Sequence, residues 1–489
     1  MMITRIAILG AGTMGIGIAE VAAAHGCHVK LYDIDPSAAN QAIKNLSTRL
    51  DKRIAKGKIT DDDKQSILTN ILSVDALDAL HDRELVIEAV VEKLSVKQDL
   101  FQQLEQICSA QTILASNTSS ISITAIATHL QHPQRILGLH FFNPAPIMKL
   151  VEVIAGIKTA EVVLDKAVTL VKSWGKVAVK AQSGPGFIVN RVARPFYGEA
   201  LKMKQEQLAD PATIDACLQA AAGFRMGPFA LMDLIGIDVN FQVSKTVYHA
   251  MFEDPRYRPS LIQSEMVAAG LLGRKSGQGF YHYNQQKTDQ SSPYSGTQKD
   301  LPKSIQLNES DHPFEQLLSE VRDICQVHSG GLNQVGDTVL FQTVGHCAGT
   351  LAQQLKKPVC LVDWSFDYQQ AKAVNVCFSE QVIDIDKNHI IAMFQAINKQ
   401  VVTIDDMPGM INARVLSMLI NEAADAVFNG VATAEDVDLA MQYGTNYPQG
   451  LLAYAEYIGW QNPASVLTEL QQWFGDDRYR LSPYIRRQL

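Results

Sequence analysis

The sequence predicts a doubly wound α/β domain, then an all-α domain, a reduced α/β segment and a second copy of the all-α domain. Three observations carry this. Apolar runs and helical patterns alternate from residue 1 to about 183. From 184 to about 272 the pattern is helical with few strand signals, and 270–283 is a glycine-rich tail. Pro185-Gly186-Phe187-Ile188 recurs as Pro408-Gly409-Met410-Ile411, at an offset of 223 that also matches Arg191 to Arg414, Glu199 to Glu422 and Asp215 to Asp438.

The chain opens on Arg5-Ile6-Ala7-Ile8-Leu9, an apolar run expected to form a strand buried on both faces. It leads directly into Gly10-Ala11-Gly12-Thr13-Met14-Gly15, a helical pattern through His25 ended by Gly26, and a second strand, 29–32, closing on Asp33. Each part has a physical job in dinucleotide binding. Gly10 permits a tight turn, and Gly12 lets backbone N–H groups approach a pyrophosphate. Gly15 lets helix and strand pack closely, and the helix N-terminus favours negative charge. Asp33 is placed to accept hydrogen bonds from both ribose hydroxyls, while a 2′-phosphate there would meet a carboxylate. The fingerprint therefore predicts a Rossmann-type domain that takes NAD.

Next in order come a polar-apolar helix from Pro36 to about Gly57 and an acidic helix start at Asp61-Asp62-Asp63. Strands are expected at 85–90, 112–115, 136–142, 149–154 and 176–179, with a helix near 95–107. Ser183-Gly184-Pro185-Gly186 reads as a boundary. The predicted organisation is 1–183, a helical domain at 184–283, a linker at 284–313 rich in Gln, Ser, Asp and Lys, a reduced α/β segment at 314–404, and the repeated helical domain at 405–489. The reduced segment has no Gly-x-Gly-x-x-Gly, so no second dinucleotide is expected there.

A chain of 489 residues has room for roughly three domains. A net charge of −8 without a basic block argues against nucleic acid or an acidic membrane surface as partner. The seven cysteines form no Cys-x-x-Cys pair, which suggests reduced thiols in a cytoplasmic protein and no metal site. No run reaches about 18 apolar residues, so no membrane span is expected. The first strand starts within five residues of the beginning, leaving no room for a targeting segment.

His140 ends a predicted strand, at the sheet edge where ligands bind in open α/β folds. In 149–154, Leu150, Glu152 and Ile154 share one strand face, so Glu152 sits on an apolar surface and needs a partner. An imidazole satisfies it and becomes the better base. Glu152 is therefore expected to accept a hydrogen bond from one ring nitrogen of His140 while the other exchanges a proton with a substrate hydroxyl. Ser119 suits either a hydroxyl contact or a helix N-cap. Asn190 suits either a ligand contact or a satisfied polar position in a helix start. Arg191 suits a structural ion pair. Lys52 and Lys56 suit a solvated helix face or contacts to substrate phosphates.

Six stretches together, 10–15, Ser-Asn-Thr-Ser-Ser at 116–120, His-Phe-Phe-Asn-Pro at 140–144, Glu152, Pro-Gly-Phe-Ile-Val-Asn-Arg at 185–191 and Gly-Arg-Lys-Ser-Gly-Gln-Gly-Phe-Tyr at 273–281, resemble the L-3-hydroxyacyl-CoA dehydrogenases. The long form, with a second helical domain and no hydratase domain, is similar to bacterial 3-hydroxybutyryl-CoA and 3-hydroxyadipyl-CoA dehydrogenases, most of all to the latter, which serve phenylacetate degradation. The resemblance implies NAD-dependent oxidation of a (3S)-3-hydroxyacyl-CoA. The implied acid/base is His140, oriented by Glu152, with Ser119 and Asn190 on the substrate. NAD contacts are implied for Gly10, Ala11, Gly12, Thr13, Met14, Gly15, Asp33, Glu92, Lys97, Ser119, Asn143 and Lys275. A coenzyme A contact is implied for Lys56, in the long helix. In the repeat, Ala413 stands where Asn190 does, so that copy is expected to be structural. Shorter members of the family dimerise through the helical domain. The duplicate is expected to fill that place, with a homodimer left as an open alternative. Two rivals remain: a dehydrogenase of free hydroxy acids, and a non-enzymatic NAD-binding protein.

Overall fold

The computed structural model describes residues 3–283, 292–298, 300–308 and 313–489. They divide into two compact units: residues up to Arg191 with Asn429–Thr445, and Val192–Phe428 with Asn446–Leu489. Among the described residues no helix is long and apolar enough to cross a membrane.

The first unit is built on one sheet. Its elements are β1 (Arg5–Leu9), α1 (Thr13–Ala24), β2 (His28–Tyr32), α2 (Pro36–Ile54), α3 (Asp61–Thr69), β3 (Ile71–Val74), β4 (Leu85–Glu88), α4 (Leu94–Ile107), β5 (Ile113–Ser116), α5 (Ile123–Ile126), β6 (Ile136–Phe141), β7 (Leu150–Ala155), α6 (Glu161–Ser173), β8 (Val177–Gln182) and α7 (Val189–Val192). Strand order is β3-β2-β1-β4-β5-β6-β7-β8. Every neighbour pair is parallel except β6 with β7, which run antiparallel. That reversal sets His140 directly opposite Glu152 in the ladder, so both side chains stand on one face of the sheet. The buried faces of β1, β4 and β6 carry Ile6, Ile8, Ile87 and Leu139 into a single apolar core with Ile18 and Val21 of α1. Helix α2 stops at Ile54, three residues earlier than its polar-apolar pattern suggests, and Lys56 lies in the turn beyond it. Gly57, at φ +64°, closes that turn in a left-handed conformation that suits glycine.

The second unit opens with the first helical copy: α8 (Arg194–Gln205), α9 (Pro211–Ala216), which continues as a π-helical turn over Cys217–Ala221, α10 (Pro228–Ile235), α11 (Ile237–Ala250) and α12 (Leu261–Ala268). The reduced segment follows: β9 (Ser304–Leu307), α13 (Pro313–Ser319), β10 (Gln326–Ser329), β11 (Asn333–Val335), β12 (Thr338–Gln342), α14 (Ala348–Leu355), β13 (Val359–Val362), β14 (Ala373–Phe378), α15 (Asp384–Ala396) and β15 (Gln400–Thr403). These strands form a mixed sheet in the order β10-β9-β11-β12-β13-β14-β15. The second helical copy is α16 (Asn412–Phe428), α17 (Ala434–Thr445), α18 (Leu451–Ile458), α19 (Gln461–Phe474) and α20 (Pro483–Gln488). Helix α17 belongs to the first unit, where it packs on β8 and β7.

The linker expectation for 284–313 needs correction. Ser304–Leu307 is a strand, with Ile305 and Leu307 buried between exposed Ser304 and Gln306. Ser295 N donates to Val401 O of β15. Two inward residues are enough for a strand with one buried face, and a Gln- and Ser-rich context hides so short a period of two. Residues 284–291, 299 and 309–312 lie outside the described residues.

The two helical copies meet through reciprocal pairs. Glu199 takes Arg478 at 2.8 Å and Tyr479 Oη at 3.1 Å from the second copy. Glu422 takes Arg256 at 3.4 Å and Tyr257 Oη at 2.6 Å from the first. A contact in which each side presents the same patch to the other is the pattern of a two-fold dimer interface, here inside one chain.

Within the first helical copy, Asp215 caps α10 by accepting from Phe229 N (2.9 Å), Ala230 N (2.8 Å) and Tyr281 Oη (2.8 Å). Burial outweighs these donors and, with the like charge of Asp233, pushes its carboxyl up to about 6. A folded value above the unfolded one means that the stability this group contributes is complete below about pH 4 and is lost as pH rises through 6. Relative to Asp215→Asn, wild-type stability should therefore fall by about 2 kcal/mol between pH 4 and pH 7. Urea unfolding of both proteins at the two pH values measures this. A pH-independent difference would contradict it.

Candidate active site

The glycine turn has the geometry its sequence requires. Gly10 has φ +97°, and its N–H bonds Tyr32 O at 2.8 Å. A Cβ on Gly15 would run into the Gly10 carbonyl, whereas a Cβ on Gly12 would meet nothing within 4 Å. Gly12 is also the N-cap of α1 and brings no side chain to its N-terminal N–H groups. The turn thus presents open space beside unsatisfied donors at a helix N-terminus, which fits a pyrophosphate. Asp33 Oδ2 accepts from Ala11 N at 2.7 Å, tying the acid to the same turn.

On the same sheet, His140 Nδ1 lies 2.6 Å from Glu152 Oε2. Glu152 is fully buried and His140 is 6% exposed. Glu152 Oε1 accepts from Ile188 N and Val189 N, each at 3.0 Å. A carboxylate with three donors needs no further counter-charge, and it makes Nδ1 the donor. Nε2 is then the imidazole nitrogen that takes a proton. Phe142 and Phe187 stand 4.5 Å and 6.0 Å from the imidazole, centroid to centroid, and give it apolar walls. Asn190 follows Val189 in the segment that binds Glu152, inside α7.

A second acidic cluster lies at the ends of β4 and β5. Lys97 is buried, with Nζ 2.7 Å from Glu88 Oε1 and 3.2 Å from Glu92 Oε2. Glu88 also accepts from Ser116 Oγ at 2.7 Å and Val90 N at 2.7 Å. Glu92 accepts from Thr118 Oγ1 (2.5 Å), Ser119 N (3.1 Å) and Ser120 Oγ (3.0 Å). Burial alone would raise the Glu92 carboxyl, but Thr118, Lys97 and Ser120 together hold it below its usual range. Glu92, Lys97 and Ser119 thus form one network beside the exposed Ser119 side chain. Ser122, not Ser119, caps the short helix α5. Asn143 is exposed, beyond the end of β6. Glu88 was not singled out from the sequence, although an acid closing a buried strand calls for a partner by the argument that picks out Glu152.

A family model described as the 3-hydroxyacyl-CoA dehydrogenase NAD binding domain matches residues 5–184. The C-terminal domain model of the same family matches 186–283 and again 409–489. The chain belongs to the 3-hydroxyacyl-CoA dehydrogenase family. A 3-hydroxybutyryl-CoA dehydrogenase reduced Rossmann-fold model matches 340–408. Among relatives, a 3-hydroxyadipyl-CoA dehydrogenase of Escherichia coli K12 is 42% identical over 99% of this chain and 97% of its own. A probable 3-hydroxybutyryl-CoA dehydrogenase of Bacillus subtilis is 41% identical over 58% of this chain and 99% of its own. A crystal structure of 3-hydroxybutyryl-CoA dehydrogenase from Escherichia coli K12 superposes with a TM-score of 0.91 at 42% identity, covering 100% of this chain and 98% of that one.

This dehydrogenase is an NAD-dependent oxidoreductase, and the glycine turn with Asp33 would hold that cofactor. Lys275 lies in the second unit, where its Nζ pairs with Asp238 Oδ1 at 2.5 Å. Lys56 is exposed in the turn after α2, not in the helix that its resemblance suggested. Its neighbours Arg49 and Arg53 are tied to buried Glu20, each at 2.6 Å.

The offset of 223 reaches further back than the helical domains. It carries His140 onto Asp363, just beyond the matching strand β13, and Glu152 onto Asn375, within the matching strand β14. Asp363 N bonds Asn375 O at 3.0 Å, so these two residues also stand opposite each other. The second copy therefore keeps the frame of the pair without its chemistry. Asp363 accepts from Ile411 N (3.1 Å), Asn412 N (2.7 Å) and Ala413 N (2.9 Å), holding the turn that Glu152 holds in the first copy.

Proposed function

We propose that this dehydrogenase oxidises a (3S)-3-hydroxyacyl-CoA to the 3-oxoacyl-CoA, with 3-hydroxyadipyl-CoA as its substrate. The carrying observation is the buried His140–Glu152 pair on the sheet that bears the glycine turn. Nε2 of His140 takes the proton from the C3 hydroxyl, and Glu152 stabilises the imidazolium that forms. Bound NAD supplies the hydride acceptor for C3. Ser119 and Asn190 steady the oxygen as it becomes a carbonyl, a role their family resemblance supports. The family resemblance supports further cofactor contacts from Asn143, Glu92, Lys97 and Lys275, and a coenzyme A phosphate contact from Lys56. The aromatic walls around His140 limit water at the reacting centre.

The adipyl assignment rests on similarity to the Escherichia coli 3-hydroxyadipyl-CoA dehydrogenase across nearly the whole chain. A second reading, 3-hydroxybutyryl-CoA or a broad range of fatty acyl chains, is favoured by the crystal structure of similar fold. A panel of 3-hydroxyacyl-CoA thioesters, with and without a terminal carboxylate, separates them. Higher kcat/KM on the carboxylated thioesters is expected. Equal or better rates on the uncharged ones would remove the adipyl assignment. Seven free cysteines, six of them buried, support a reducing, cytoplasmic setting. The reciprocal contact between helical copies is satisfied within one chain, which supports a protein that needs no partner at that surface.

A further inference from the structure

Helix α17 comes from the second helical copy, yet it packs on β7 and β8 of the catalytic sheet. Its first-copy counterpart at the offset of 223 is α9 with its π-helical turn, and that turn packs on β14, the counterpart of β7. Each copy therefore lends the same helix to the other copy's sheet. The entry of the α17 segment is fixed by Gln182 N, which donates to Val431 O at 2.7 Å. Near its end, Lys149 Nζ sits 5.9 Å from the Tyr443 ring centroid.

The helix comes close to the sheet at Gly444. A Cβ there would stand 2.7 Å from Leu150 Cδ2 and 3.0 Å from Val189 Cγ2. Both neighbours are buried, and the β-branched Val189 is stiff about its first side-chain torsion. Leu150 lies two residues before Glu152 on the same strand face, and Val189 N donates to Glu152 Oε1. Gly444 thus bears on both supports of that carboxylate: the strand that carries it and the turn that anchors it. At the equivalent place the first copy has Ala221, in the turn that packs on β14, where Asn375 stands in place of Glu152. The residue without a side chain occurs on the helix packed against the strand that carries Glu152.

We propose that Gly444 is a positioning residue for Glu152, and through it for His140. The inference rests on the reading of that pair as the proton-transfer device. A side chain at 444 pushes Val189 and its N–H away, tilts the carboxylate and misaims the imidazole, while the glycine turn that binds NAD is untouched.

The test is steady-state kinetics on Gly444→Val, with NAD binding and thermal unfolding measured alongside. A kcat about tenfold lower with KM for NAD within twofold of wild type is expected, since small misplacements of a catalytic group are costly. Adding Val189→Ala reopens the space and should restore most of kcat, a non-additive rescue that mere loss of stability would not produce. Should Gly444→Val fold poorly, Gly444→Ala with the same rescue decides. In a Glu152→Gln background the effect should vanish. An unchanged kcat in folded Gly444→Val, absent rescue, or a tenfold loss that persists in the Glu152→Gln background would overturn the proposal. A Glu152→Gln variant that itself turns over normally would instead overturn the reading of the pair.

Discussion

Replacing His140 by Gln is expected to lower kcat by about 10²–10⁴-fold while leaving NAD affinity nearly unchanged. Gln matches the imidazole in length and polarity but has no group that takes a proton near neutral pH. The loss is therefore that of proton transfer, not of packing. NAD binding is spared because the glycine turn and Asp33 make their own hydrogen bonds without His140. Steady-state rates with acetoacetyl-CoA and NADH, and a separate NADH titration, check both halves. Retention of more than half of wild-type turnover would refute the assignment. The same assay with free acetoacetate in place of the thioester distinguishes an acyl-CoA dehydrogenase from one acting on free acids.

Glu152→Gln should be nearly as damaging, by roughly 10²–10⁴ in kcat, for a different reason. Oε1 is committed to two backbone N–H groups, so the Gln carbonyl oxygen will keep that place. The amide nitrogen is then left facing Nδ1. Two donors cannot share that 2.6 Å contact. The imidazole must switch tautomer, placing its proton on Nε2, where a base is needed. The positive charge that would form on the ring also loses its counter-charge in a buried site. Turnover should fall with NAD affinity intact. A variant whose kcat stays within a few-fold of wild type would show that Glu152 neither fixes the tautomer nor stabilises the imidazolium.

Much of this was readable along the chain because the signals are local. A glycine turn between strand and helix needs only adjacent residues. Period-two placement put Glu152 on an apolar face, and the need of a buried acid for a partner pointed to the nearest imidazole. Other features were hidden because they depend on residues far apart. Short strands such as β9 carry two inward side chains in a polar context. Glu88 and Lys97 are a buried pair joining β4 to α4. The repeat was visible in the helical domains, where whole motifs recur. It was invisible at Asp363 and Asn375, where the frame persisted and the chemistry did not.

The order of residues alone determined the class of fold, the cofactor and the pairing of His140 with Glu152, since each follows from backbone freedom, periodicity or burial of charge within a short window. Only the tertiary structure decided what the second copy does. Its Asp363 anchors a helix turn, its Glu422 answers Glu199 across the repeat, and its α17 lies against β7 and β8 of the first unit. These outcomes depend on which surfaces meet once the chain is folded, and close packing between elements hundreds of residues apart leaves no period in the sequence.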